Sequence, residues 1–423
     1  MDHKITDLVI SIGTNPLPAY ITGKYFKDQS PMLKRIWFVY TEQTKKYANN
    51  LKSQFIEDGI EVNQAQLTNE SSSVTIKREF QKQVIEKLPK DSEVHFNYTG
   101  GTKTMSVQMV QSLKEFRKDQ PETLTFSYLN ARDFKIYIDG EEKPISGDLR
   151  KKIKPTIDEI LKLHGYTNVA EKDEYKNSFR DLILKIEESL QERLNFLDGF
   201  YGLLDCLKRN SHYKSEFIKE GGELRKCNLG EKEINVLNLL PSDFQPFQKN
   251  GEPNQNIDNK KLIYTIEFLK GKWLELYVEH IILKYLTLKK DFVSVNYEIR
   301  DPEWSKSKND QGKFKLQFEL DVIVLIGYQI YAISCTTSHE RPICKSKGFE
   351  ILKRSKQIGG EEARSILITG ISDHKDLSSR DLQDELENDS GNKGDILVLG
   401  KSDWNQENLK KKLKEYIGRE FFQ

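Results

Sequence analysis

The 423-residue sequence predicts an α/β protein: a doubly wound, mostly parallel N-terminal sheet, a helical connector, and a second α/β unit. Three observations predict it. Short apolar runs alternate with helix-length amphipathic stretches over residues 1–140. Charge-laced helical sequence then dominates 150–255. From 260 a long apolar helix leads into closely spaced strand runs. These shifts divide the chain at 1–150, 151–258 and 259–423.

In the first unit, strands are expected at 8–13, 36–41, 60–67, 94–99 and 124–129, with a short one at 135–138. Helical patterns fill 17–26, 43–57, 73–88 and 102–118. The last sets Met105, Met109, Leu113 and Phe116 on one stripe. Parallel sheets of this kind bind ligands beyond the carboxyl ends of their strands.

The connector reads as helices, followed by a Gly/Asn/Pro/Gln-rich stretch, 240–259, that looks like a linker. The C-terminal unit is expected to run as helix, three antiparallel strands, helix, strand. Its strands lie at 293–300, 314–326, 330–336, 365–369 and 396–399. The apolar run 322–333 is cut by Gly327-Tyr328-Gln329 and so reads as a hairpin.

Composition excludes several classes. Sixty-six Lys and Arg against 65 Asp and Glu leave a net charge of +1, so a polybasic binder is excluded and any nucleic-acid contact must be local. No apolar run is long enough to span a bilayer, and no secretory leader pattern opens the chain. Four scattered cysteines suit free thiols in a reducing cytoplasm, and seven histidines show no zinc spacing.

The sharpest local signal is Asn97-Tyr98-Thr99-Gly100-Gly101-Thr102-Lys103-Thr104, where a strand ends and a helix begins. Paired glycines bring backbone close to a ligand, and N–H groups at the helix start favour an anion. Thr99, Thr102 and Thr104 add hydroxyls and Lys103 a point charge. No Walker A frame surrounds that lysine, which leaves ATP hydrolysis unsupported. Gly13-Thr14-Asn15 after the first strand and Tyr40-Thr41 after the second add polar turns at the same edge. Taken singly these two read as ordinary turns and caps; together the three loops describe a pocket for a phosphate-bearing ligand.

The segments NYTGGTKTMSVQ and SIGTNPLP resemble those of CARF domains, over roughly the first third of the chain. The resemblance implies a Rossmann-like, homodimeric sensor of cyclic oligoadenylates, with cyclic tetra-adenylate the expected activator, in type III CRISPR antiviral defence. Two glycine loops would then face each other across a two-fold axis. A rival use of the same loop is cleavage of the cyclic ligand by its hydroxyls.

Glu319 and Asp321 lie two apart on a strand, so both project from one face. Lys347, Glu350 and Arg354 share a helix face, and the leading helix offers Glu275 and Glu279. Clustered carboxylates suit Mg²⁺ or Mn²⁺, and a nearby lysine stabilises developing charge. Asp321 beside the apolar run VIVLI needs a cation or a hydrogen-bonding partner more than its neighbours do. The basic stretch 345–356 offers charge to a phosphate backbone. Trp304, Phe349 and the 301–312 loop are candidate substrate contacts, whereas Trp273 reads as core.

Over about the last 160 residues the element order, with GKWLELYVEH and ELDVIVLIGYQIYAISCTTS, resembles the PD-(D/E)xK nuclease fold, which is restriction-endonuclease-like. It implies a metal-dependent endonuclease gated by the sensor. Asp321 matches the family aspartate and Glu275 the acid often found on the leading helix. Ser334-Cys335-Thr336 departs from the family's Glu-x-Lys. Either the charges have moved to Glu350 and Lys347, with Asp321, Glu350 and Glu319 as ligands, or the site is inactive and the chain is a ligand-gated binding or regulatory protein. The one-face spacing favours the first.

Overall fold

The computed structural model describes residues 4–168, 175–191, 196–210, 224–286, 288, 293–300, 318–372, 378–391 and 393–418. The 301–312 loop, with Trp304, lies outside them.

The first sheet holds β1 (Asp7–Ser11), β2 (Arg35–Thr41), β3 (Glu61–Leu67), β4 (Val94–Asn97), β5 (Leu124–Asn130) and β6 (Lys135–Ile138), in the order β3-β2-β1-β4-β5-β6. All neighbours pair in parallel except β5 and β6. Four helices connect the strands: α1 (Leu17–Gln29), α2 (Lys45–Glu57), α3 (Ser73–Gln83) and α4 (Lys103–Phe116). β1 is buried throughout, as a central parallel strand must be. Its alternate residues serve two cores. Leu8 and Ile10 join Ile36, Phe38 and Phe55, whereas Val9 joins Val39, Ile76, Phe80 and the Met105-Met109-Leu113 stripe. Chain order reverses between β1 and β4, and such a switch point opens a crevice.

After α5 (Ile157–His164), a two-residue strand β7 (Thr167–Asn168) already belongs to the second sheet. That sheet runs β12-β11-β10-β9-β8-β7, from β8 (Val293–Arg300), β9 (Phe318–Ile326), β10 (Gln329–Cys335), β11 (Arg364–Ile368) and β12 (Ile396–Leu399). β9 and β10 form the expected hairpin, while β10, β11 and β12 pair in parallel.

Helices α6 (Arg180–Gln191), α7 (Phe196–Asn210) and α8 (Glu231–Leu239) precede α9 (Asn259–Glu267) and α10 (Trp273–Tyr285). The last two replace the single long helix expected there, because a wide turn over Phe268–Lys272 separates them at Gly271. α11 (Arg341–Gly359) follows the hairpin, then α12 (Ser379–Ser390) and α13 (Gln406–Ile417). Trp273 is fully buried against Trp404, a core residue as its pattern suggests.

Two expectations are corrected. The stretch read as a linker buries Phe244 and Phe247 in the core with Phe179, Phe268 and Trp273, so its aromatics outweigh its turn-rich composition. Cys206 and Cys227, expected free, form a disulfide across Cα atoms 5.9 Å apart; packing of α7 against the following segment brings together residues distant in sequence.

The halves share one apolar cluster, running from Ile10 and Phe38 through Phe134 to Tyr328, Ile330 and Ile358. Arg150 pins the junction. Its guanidinium donates to Gln329 (2.7 Å) and Asp148 (2.8 Å) and stacks 3.8 Å from the Phe134 ring. Arg150→Ala is expected to lower the unfolding free energy by about 2 kcal/mol in a urea titration, since it removes charged hydrogen bonds and a ring contact at a half-buried junction. An unchanged midpoint would show that the junction does not depend on this residue.

Candidate functional site

Two sites emerge, one at each sheet. The first is a cavity of about 720 Å³ at the carboxyl ends of β1, β2 and β4. Gly13, Thr14, Asn15, Thr41, Thr99, Gly100, Gly101 and Thr102 line it, which brings most of the predicted loop residues together. Tyr40 does not reach it: strand alternation turns Tyr40 with Ile36 and Phe38 into the core. Lys103, exposed on the first turn of α4, is not in the lining.

The loop is held against β1 by backbone proximity. Ser11 Oγ donates to the Gly100 carbonyl (2.6 Å), and a Cβ on Gly100 would overlap the Ser11 carbonyl and sit 2.8 Å from the Gly13 nitrogen. Gly101 adopts φ +79°, a left-handed conformation that favours glycine. The threonine hydroxyls are not free donors. Thr99 donates to Asn97 (2.8 Å) and accepts from the Leu129 N–H (2.7 Å). Thr102 caps α4 through the Met105 N–H (3.2 Å) and donates to the Glu70 carbonyl. What the loop offers an anion is therefore the N–H groups and dipole of the α4 start.

The far wall was not legible in the sequence. His164 at the end of α5 and Tyr166 just after it, with Gln357 in the last turn of α11 and Gly360, Glu361 and Glu362 beyond it, close the cavity.

The second site gathers acids at the β9–β10 hairpin. Asp321 Oδ2 accepts from the Cys335 N–H (2.6 Å) and the Ser334 hydroxyl (3.2 Å). Ser334 and Cys335 thus hold Asp321 in place instead of supplying the Glu-x-Lys charges. Burial raises the Asp321 carboxyl above its usual range; the Cys335 N–H, Lys347 and Ser334 oppose this, and Glu350 adds to it. Burial, together with Asp321 and Glu319, pushes Glu275 up to about 8, while Lys272 and Lys347 oppose. Burial and the same two acids, Asp321 and Glu275, raise the Cys335 thiol.

Asp321, Glu275, Glu319, Lys347 and Glu350 therefore share one electrostatic neighbourhood. Glu319 and Glu350 are exposed. Two neighbours fall out of it. Glu279 pairs with Lys176, and Arg354 stacks 4.5 Å from Phe318. The basic face of α11 is partly neutralised by Lys345–Glu385 (2.5 Å) and Lys356–Asp395 (2.7 Å). Phe349 stays exposed.

Among the described residues no three His, Cys, Asp or Glu converge tightly enough to form a preformed metal cage. The donor set still fits a hard cation. Mg²⁺ commonly takes one or two carboxylates and completes its shell with water and phosphate, and two half-buried carboxyls in one field, Asp321 and Glu275, provide that.

The fold and its sites define a doubly wound sheet with a pocket at its switch point, joined to a mixed α/β unit that carries half-buried and exposed acids. Residues 8–150 match the family model described as the Card1 CARF domain. The whole chain superposes on protein VC1899 from Vibrio cholerae with TM-score 0.65 at 14% identity, covering 97% of this chain and 98% of that one. It also superposes on Can2 from Sulfobacillus thermosulfidooxidans, solved with cyclic tetra-adenylate, with TM-score 0.62 at 16% identity over 97% and 99% of the chains. At these identities the likeness is one of fold. No curated protein shows significant similarity. No described helix is long and apolar enough to cross a membrane.

Gly100→Ala is expected to displace the loop from Ser11 and lower the unfolding free energy by about 2 kcal/mol in a urea titration; an unchanged midpoint would show that the close approach is dispensable. The Glu275 carboxyl rises from 4.5 to about 8, so between those values the folded chain holds a proton that the unfolded chain has lost. Its stabilising effect is full at low pH and fades as pH rises through that window. In EDTA, wild-type unfolding free energy should fall with pH more steeply than that of Glu275→Gln; parallel curves would refute the shift.

Proposed function

We propose that the chain is a cyclic-oligoadenylate-activated, metal-dependent nuclease of type III CRISPR defence, cleaving DNA or RNA in the cytoplasm as a homodimer. Residues 1–150 form the sensor, 151–258 the connector and 259–423 the nuclease-like domain. The observation that carries the reading is Asp321, held by the Cys335 N–H and the Ser334 hydroxyl in one electrostatic neighbourhood with half-buried Glu275 and with Lys347, joined to the cavity of the first sheet. The CARF match over 8–150 supports cyclic oligoadenylate as the activator. The likeness in fold to a protein solved with cyclic tetra-adenylate makes that ring the first to test.

At the sensor, the α4 N-terminus and the Gly13 and Gly100 turns take the phosphates. At the nuclease site, Asp321, with Glu275 and Glu319 or Glu350, would hold Mg²⁺ or Mn²⁺. Such a cation polarises the scissile phosphate and makes bound water acidic. The Cys335 N–H and the Ser334 hydroxyl both hold Asp321 through its Oδ2 oxygen. Lys347 lowers the proton affinity of both half-buried acids and, as a cation, stabilises charge building on phosphate oxygens. The ligand favours activity only if it binds the active arrangement more tightly than the resting one.

A second reading keeps the sensor and makes the C-terminal domain a binding or regulatory module. The loss of Glu-x-Lys at Ser334-Cys335-Thr336 favours it.

The deciding assay incubates full-length protein with labelled DNA and RNA, Mn²⁺, and cyclic tetra-adenylate or none. Cleavage is expected only with both additions. EDTA should abolish it, Asp321→Ala should lower it more than about a hundredfold, and Lys347→Ala about a hundredfold. Full activity in Asp321→Ala would overturn the metal assignment; activator binding without cleavage would support the regulatory reading.

A further inference from the structure

The cavity has two chemically different walls, and the second comes from outside the sensor sheet. On the loop side it presents N–H groups and a helix start, which suit phosphate. On the far side it presents His164 at the end of α5, Tyr166 just after it, and Glu361 and Glu362 after α11.

Two of these polar groups are buried without a partner. His164 and Glu362 are each 3% exposed, and among the described residues His164 Nε2 and Glu362 Oε2 accept no hydrogen bond. Burial holds the His164 imidazole near 3, hence neutral, and raises the Glu362 carboxyl to about 7. Buried acceptors left unpaired are costly, so their place in a cavity lining points to a ligand that carries donors. A phosphodiester carries none and is repelled by Glu361. A nucleotide carries both kinds of group, with anionic oxygens at one end and an exocyclic amine and ribose hydroxyls at the other.

The far wall is mechanically tied to both halves. Gly360 has φ +68°, and a Cβ there would overlap the Asn15 amide, so the α11 terminus rests directly on the loop after β1. Gln357 donates to Tyr166 (2.7 Å), and the Glu362 carbonyl accepts from Gln329 in β10 (2.8 Å). From Lys347 to the end of α11 at Gly359 is about 18 Å of continuous helix.

We propose that the end of α5 and the end of α11 together supply a base-and-ribose-reading wall, in which His164 and Glu362 accept hydrogen bonds from a nucleotide whose phosphates rest on the glycine loop. The ligand then directly touches the end of the helix that bears Lys347 and Glu350, as well as α5 at the start of the connector. The inference rests on the cavity being the cyclic-oligoadenylate site.

The test is hydrogen–deuterium exchange on the full-length wild-type chain with and without cyclic tetra-adenylate, alongside calorimetry of Glu362→Gln. Slower exchange is expected both at 99–105 and at 357–363, with affinity reduced about tenfold in Glu362→Gln. Protection at 99–105 with none at 357–363 would overturn the two-walled site and leave the sensor reading intact. No protection at either segment would remove the activator and the proposal together. Should Glu362→Gln fail to fold, the wild-type exchange pattern decides alone.

Discussion

The C-terminal half is organised around two half-buried carboxyls, Asp321 and Glu275, each raised by burial and Glu275 raised further by Asp321. Like charges in a poorly solvated space cannot both stay ionised unless a cation joins them. The hairpin and the leading helix are nevertheless packed so that they must coexist. The Cys335 N–H and Ser334 hydroxyl anchor one carboxylate, Lys347 and Lys272 relieve the other, and α10 sits in a core centred on Trp273 and Tyr277. A fold selected for stability alone would replace such a pair with apolar groups.

The N-terminal half solves a different problem, the close approach of two loops at a switch point. Gly100 and Gly101 let α4 begin against the end of β1, and Thr99 and Thr102 spend their hydroxyls on holding that geometry. Recognition is left to backbone groups that cannot rotate away. The apolar cluster shared by the halves, and Gly360 resting on Asn15, make the cavity a place where both halves meet.

Much of this was legible in the sequence. Alternating apolar runs marked the first sheet, the Met105-Met109-Leu113 stripe marked the buried face of α4, and Gly327 marked the hairpin turn. The Gly-Gly-Thr-Lys loop declared the cavity because glycine there has a local steric reason. Tyr40 misled because a polar turn after a strand does not reveal which face the preceding side chain takes. Local pattern is silent on contacts between distant segments. It gave no sign of the wall from His164 and Glu362, the burial of Phe244 and Phe247, or the Cys206–Cys227 bond. The place of Lys347 beside Asp321 was visible in the sequence only as helix spacing, and its electrostatic effect on Asp321 is what the structure adds.

The most direct test of the account is anomalous diffraction from crystals grown with Mn²⁺. The account predicts a manganese peak within about 2.5 Å of Asp321 Oδ1 and a Glu275 oxygen. Fully occupied manganese elsewhere, with Asp321 and Glu275 still metal-free, would contradict it.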